Sequence, residues 1–217
     1  MKKGFLFVLS FLFVLFNLLI CSDSKIPKGE LPILTTSAGQ SSDINTVNII
    51  FEEAGIAFDY CDAPGLDLVK SGVGLGDKQS GEGFHVEIHT DLSKYKKGTA
   101  YKTVIFAIGA SLKGMGASGL TIADEIKRVN SIIQYCKKNK VFIIALHVGG
   151  VSKRGAAGGD NERMIDAVAP FADYLIVVQD SNKDGRFTKI AQKSAIPFTE
   201  VENALEIVEI FQKVFGS

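Results

Sequence analysis

Apolar residues follow two alternating patterns along this chain: short runs, and longer stretches in which they recur every three or four positions. Short strand-like runs span Ile33 to Thr36, Ile56 to Tyr60, Val141 to Leu146, Tyr174 to Val178 and Phe198 to Val201, the second broken by Asp59 and the last by Thr199 and Glu200, while Thr103 to Ile108 is continuously apolar. Runs without polar alternation are what strands covered on both faces require. Helical spacing appears at Ile44, Val47, Phe51 and Ala54, and again at Ile122, Ile126, Val129, Ile133 and Cys136. Asp160 to Val168 and Phe187 to Ser194 read as further helices, and Leu205, Val208, Phe211 and Phe215 mark one side of a last one. Stop and start signals agree with these boundaries. Ser42 and Asp43 are placed to open the first helix and Gly55 to end it. Thr121 and Asp124 have capping-box spacing, and Lys137, Lys138 and Lys140 complement the negative end of the same helix.

Strand and helix alternating at this interval imply right-handed crossovers and a single α/β domain over residues 31–217. The expected fold is a three-layer α/β/α sandwich with a mostly parallel sheet; flavodoxin-like and Rossmann-like strand orders both stay open. One segment interrupts the rhythm. Residues 63–102 are Gly-rich between Gly72 and Gly83, alternate from Phe84 to Thr90 and then turn polar, so they are expected to form an inserted flap with an edge strand.

The N-terminus has the pattern of an export signal. Lys2 and Lys3 precede an apolar run from Gly4 to Phe16, and Leu18-Leu19-Ile20-Cys21-Ser22 follows. That last stretch resembles a bacterial lipoprotein cleavage motif, which implies lipidation at Cys21, although Ile20 stands where such motifs carry a small residue. An uncleaved signal anchor is the alternative. Either one leaves the two lysines cytoplasmic and the domain lipid-anchored at the extracytoplasmic face of the cell membrane. Residues 1–21 are thus assigned to the signal and the polar residues 22–30 to a tether.

Charge adds little to this and removes one class of partner. The 24 basic and 24 acidic residues balance, and without Lys2 and Lys3 the remainder is near −2, so no global field draws nucleic acid. Cys61 follows a strand-like run and Cys136 lies on a helix's apolar face, which predicts two buried thiols rather than a disulfide.

In open parallel sheets a ligand binds beyond the carboxyl ends of the strands, where loops diverge and helix N-termini present free N–H groups. That rule selects Ser37, Gly39, Gln40 and Ser41 after the first strand, and Ser111, Lys113 and Gly114 after Thr103 to Ile108. It selects His147, Gly149, Gly150, Lys153 and Arg154 after Val141 to Leu146, and Asp180, Asn182 and Asp184 after Tyr174 to Val178. Lys113, Lys153 and Arg154 suit a small polar or anionic ligand. The competing explanation is that these glycines and charges merely let long loops turn and stay hydrated.

Metal chemistry has weak footholds. Asp180, Asn182 and Asp184, followed by Gly185, match the first half of a calcium loop, but position twelve, where a bidentate Glu belongs, is Ala191. His85, Glu87 and His89 would share one strand face, with the two histidines about 13 Å apart, too far to meet on one zinc without a bend. Gly72, Gly74 and Gly76 lack the strand and helix of a dinucleotide site, and no P-loop is present. Ser111 has no nucleophile-elbow context, which leaves His147 as the single catalytic candidate. No cofactor is implied.

The runs Gly109-Ala110-Ser111-Leu112-Lys113-Gly114-Met115-Gly116-Ala117-Ser118-Gly119, His147-Val148-Gly149-Gly150 and Ala172-Asp173-Tyr174-Leu175-Ile176-Val177-Val178-Gln179-Asp180-Ser181-Asn182-Lys183-Asp184-Gly185 resemble those of a bacterial family of exported proteins known as domain of unknown function 6305. The resemblance covers the chain from Leu31 onward and implies no activity. By architecture alone the chain also resembles one lobe of a periplasmic binding protein. Three functions compete at this stage: a tethered ligand-binding module serving a transporter or sensor, a hydrolase using His147 with Ser111 or Asp180, and a subunit that docks a membrane-protein or other exported partner.

Overall fold

The computed structural model describes residues 26–79, 92–216 and, as backbone only, 88–90. The expected signal at 1–21, with Cys21, and most of the alternating run containing His85 and Glu87 lie outside the described residues. The strands are β1 (Ile33–Ala38), β2 (Asp59–Cys61), β3 (Ile88–Thr90), β4 (Thr103–Ile108), β5 (Phe142–His147), β6 (Tyr174–Val178) and β7 (Phe198–Val201). The helices are α1 (Asp43–Glu53), α2 (Leu66–Ser71), α3 (Leu112–Ala117), α4 (Ile122–Asn139), α5 (Asp160–Val168), α6 (Arg186–Ser194) and α7 (Ile207–Phe215).

One sheet runs β3-β2-β1-β4-β5-β6-β7, parallel throughout except for β3, which pairs antiparallel with β2 at the edge. The parallel strands alone follow the flavodoxin-like order, and β3 stands reversed where a Rossmann-like sheet would place its third parallel strand. Strand progression changes direction between β1 and β4, which makes their carboxyl ends the topological switch point.

The unbroken apolar runs have a direct cause in this sheet. Ile33, Ile105, Ile144 and Ile176 pack under α1 and α7, while their neighbours Leu34, Phe106, Ala145 and Val177 pack under α2, α4, α5 and α6. Period-two geometry sends successive residues to opposite faces, and both faces are covered. Phe51 of α1 stacks on Phe211 of α7 at 4.3 Å, joining the first and last helices. Cys61 and Cys136 are buried free thiols, and burial pushes both up to about 12.

Several expectations need correction. Ser42 does not cap α1; Ser41 Oγ accepts from the Asp43 N–H at 3.2 Å instead. Leu205 is 69% exposed, because α7 starts only at Ile207 and its buried stripe is Ile207, Ile210, Phe211 and Val214. In the described parts of the 63–102 insertion β3 forms an edge strand, and Val69, Val73, Leu75, Leu92 and Tyr101 join the core. Gly74 N–H and the Tyr101 hydroxyl both donate to buried Asp59, at 2.9 and 2.5 Å. The described part of the tether is docked as well. Gly29 N–H donates to Val214 O at 3.0 Å, and Thr103 Oγ1 donates to Glu30 O at 2.7 Å. No helix among the described residues is long and apolar enough to cross a membrane.

Candidate functional site

Parallel direction puts the loops after β1, β4, β5 and β6 on one edge of the sheet, and the candidate residues divide there into two depressions. The first, about 440 Å³, lies at the switch point, where Gln40, Ser41, Ser42, Asn45, Ser111 and Lys113 line it. The second, about 350 Å³, lies beyond β5 and β6, with Val151, Arg154, Asp180, Lys183 and Asp184 in its wall.

The first depression rests on a buried support. Gly39 (φ 106°) and Gln40 (φ 55°) turn the chain out of β1, and a side chain on Gly39 would strike Gly109 O. Glu125, fully buried at the start of α4, fixes this turn by accepting from Gly39 N–H at 2.8 Å and from Gln40 Nε2 at 3.2 Å. Arg128 pairs with Glu125 at 2.6 Å and donates to Ser37 O at 2.7 Å. Burial pushes the Glu125 pKa up, but Arg128 and the Gly39 N–H outweigh it and hold the carboxyl below its ordinary range. Gln40 Oε1 accepts from Ser118 at 2.5 Å, so its amide is spent. Ser37 is spent too, its hydroxyl donating to Asp62 O at 2.9 Å.

Above that support the side chains are freer. Ser111 caps α3, accepting from Gly114 N–H at 3.1 Å, and a Cβ at Gly114 would collide with Gln40 O, so the loop after β4 packs on the loop after β1. Lys113 is exposed and has no hydrogen-bond or ion-pair partner among the described residues. α3 itself was not legible as a helix, since two of its six residues are glycine.

In the second depression the polar groups consume one another. Arg154 Nε donates to Glu162 Oε1 at 2.7 Å, its Nη1 to Ser181 O at 2.5 Å, and its Nη2 to Asp184 Oδ2 at 2.8 Å. The guanidinium also lies over the Phe187 ring, 5.6 Å from its centre. Arg154 is therefore a structural cation rather than a vacant one, and it holds the Asp184 carboxyl well below the usual range. Asp180 accepts from Val151 N–H at 2.8 Å and pairs with Lys183. Asn182 Oδ1 accepts from Phe187 N–H at 2.9 Å and Nδ2 donates to Glu200 at 2.5 Å. The three side chains of the calcium-like stretch thus turn to three different partners, one of them a guanidinium, an arrangement that repels a cation.

His147 lies beneath this half, fully buried. Its Nε2 contacts Lys153 O at 3.1 Å and its Nδ1 contacts Ser181 Oγ at 2.7 Å. A carbonyl only accepts, so Nε2 carries the proton and Nδ1 accepts from Ser181. Burial lowers the histidine to about 4 and keeps it neutral. Ser181 is also fully buried. A serine hydrogen-bonded to a neutral histidine has the bonding of a nucleophile and base, yet neither group is open to a substrate. Gly149 and Gly150 are spacing residues. A Cβ at Gly149 would press on Lys153 and Asp43, and one at Gly150 would stand 2.7 Å from Asp180 Oδ2.

Asp43 is the rim residue that sequence reasoning treated only as a helix-dipole partner. It sits between the depressions, and its Oδ2 is buried with no hydrogen-bond partner among the described residues. A Cβ on Gly109 would approach that oxygen to 2.7 Å. Burial raises the Asp43 carboxyl, while the Ser41 hydroxyl and the Lys153 charge oppose the rise. The signal that could have found it is its position, five residues after β1 at the opening of the helix over the switch point.

These features define a flavodoxin-like α/β domain whose accessible polar rim lies at the switch point. The chain belongs to the family described as Domain of unknown function (DUF6305), which matches residues 30–215. No curated protein matches it.

Proposed function

We propose that this chain is a membrane-tethered, extracytoplasmic binding module for a small polar ligand carrying an anionic group, held at the switch-point depression. The observation that carries the reading is the contrast in commitment around the rim. Lys113 stands unpaired among the hydroxyl and amide side chains of Ser41, Ser42, Asn45 and Ser111, whereas Arg154 is saturated by its own protein. Such a wall, which Asp62 and Tyr60 complete, supplies one cation beside a carboxylate and several neutral hydrogen-bonding groups, the pattern that orients a small polar molecule. The membrane tether rests on Lys2, Lys3, the apolar run and Cys21. Binding is tested by melting-temperature screening of organic acids, phosphates and sugars, where at least one class should stabilise the wild type and stabilise Ser111→Ala less. Absence of any shift across the panel would remove the reading. Anchoring is tested by fractionation and mass spectrometry, in which the wild type should partition with membranes and carry a lipid on Cys21 that Cys21→Ala lacks; an unmodified wild type in the soluble fraction would oppose the tether.

The hydrolase alternative needs Ser181 or Ser111 beside a reachable base. His147 is paired with the buried serine and not with Ser111, so the binding reading accounts better for the geometry.

A further inference from the structure

The two edges of the sheet differ in charge. Helices α4, α6 and α7 run from the carboxyl rim back to the amino edge, and their last turns bring Lys137, Lys138, Lys193 and Lys213 there. Lys140, just before β5, and Lys102, just before β4, join them, and all six are exposed. Lys102, Lys138, Lys140 and Lys193 have no ion-pair partner among the described residues. The acids that share this edge, Glu30, Glu52, Glu53 and Asp173, are fewer, and Asp173 is already paired with Lys137 at 2.6 Å. Lysines in last helical turns serve the helix dipole, but Lys102 precedes a strand and has no such role. Leu31 and Phe171, 37% and 46% exposed, add apolar side chains to the same edge.

A second, independent observation points the same way. The chain reaches the fold at this edge: Ile26 packs on the core, and Lys28 Nζ donates to Lys213 O and Gly216 O, both at 2.9 Å, before β1 begins. From Cys21 to Ile26 the chain spans at most roughly 18 Å when fully extended. The rim lies a strand length further away, roughly 20 Å. The rim also exposes Leu112, Val151 and Leu205; Lys113 and Lys153 stand near the first two, but Asp180, Asp184, Glu202 and Glu206 share the same rim, and an anionic surface repels them.

We propose that the amino edge docks on an anionic lipid bilayer, so that the switch-point depression opens away from the membrane. The proposal builds on the tethered reading of the N-terminus and adds to it an orientation. Exposed lysines around apolar side chains are the composition that anionic headgroups attract, and salt should weaken the contact. One consequence is that ligand reaches the rim from the aqueous side, and a partner confined to the bilayer does not touch it.

The test uses the full chain reconstituted into vesicles of phosphatidylcholine alone or mixed in equal parts with phosphatidylglycerol. A membrane-impermeant lysine acylating reagent is applied and labelling is read lysine by lysine by mass spectrometry. On the phosphatidylglycerol vesicles, Lys102, Lys138, Lys140 and Lys193 should be protected at least about threefold relative to Lys113 and Lys183, and salt near 0.5 M should abolish the difference. The Lys138→Glu, Lys140→Glu, Lys193→Glu variant should lose the protection at its remaining edge lysine, Lys102, while still floating with the vesicles. Even labelling of both edges, or protection of Lys113, overturns the orientation alone. A chain that floats with neither vesicle overturns the tethered reading and the orientation with it.

Discussion

The two halves of the carboxyl rim are built on the same device and put it to different use. Each has a buried carboxylate paired with a guanidinium, Glu125 with Arg128 under the loop after β1, and Glu162 with Arg154 beyond β5. In the first half the pair lies below the rim and holds backbone, which leaves Ser42, Asn45 and Lys113 uncommitted above it. In the second half the arginine is itself the rim residue, and it absorbs Asp184 and Ser181 O as well as Glu162. A cation in a Gly-rich strand-end loop is therefore a weak indication of ligand binding until its partners are known.

The sharpest way to break this comparison is Arg154→Ala. Removing the guanidinium leaves Glu162 buried with Arg186, 3.0 Å away, and the Gly155 N–H, 3.1 Å away, and loss of one partner of a buried pair costs about 3–5 kcal/mol. In thermal unfolding the variant should melt roughly 6–20 °C lower. A near-unchanged midpoint would return Arg154 to the pool of available cations.

A slightly smaller effect belongs to His147. Its folded value, about 4, lies below the ordinary 6.5, so the unfolded chain binds the extra proton. The neutral histidine's contribution is complete above pH 6.5 and is lost as pH falls toward 4, roughly 3 kcal/mol in all. Urea midpoints between pH 7 and 4 should fall in the wild type, with His147→Gln removing that share of the slope whatever its basal stability. An unaltered slope would mean the ring is already protonated or hydrated in the native state. Asp43→Asn should shift stability less and upward, by about 1 kcal/mol, because it relieves a carboxylate whose Oδ2 is buried without a partner. A lower midpoint would show that the charge is used by Lys153. The smallest change is expected for Lys113→Ala, within about 0.5 kcal/mol, since the side chain is exposed and unpaired.

Much of the fold was legible because the strands are covered on both sides. Runs such as Thr103 to Ile108 and Tyr174 to Val178 leave no polar face to confuse with a helix, and the Thr121–Asp124 capping box forms as its spacing predicts. Legibility failed where tertiary contact overrides local pattern. Gly72 and Gly74 read as a loose loop, yet a Cβ at Gly72 would meet Thr99 O, so the glycine is there for close packing of the insertion. Ile26 to Glu30 read as a tether because nothing local announces α7 as their partner.

The site was legible as an edge but not as a pocket. Strand direction put Gln40, Ser111, His147 and Asp180 on one rim. Which of them stay free depends on partners such as Glu125, supplied by a helix far along the chain from the loop it serves, and Glu162, supplied by the helix that follows Arg154. Asp43 was overlooked for a similar reason, because its isolation is defined by Gly109 and Gly149, far along the chain.

The most direct test of the central claim is titration calorimetry of the wild type and Lys113→Ala with whichever organic acid or phosphate stabilises the wild type. The account predicts at least about a tenfold loss of affinity in Lys113→Ala, as befits a lost charge-assisted hydrogen bond, at an unchanged melting temperature. Equal affinity in both proteins would contradict it and move the ligand away from the switch point.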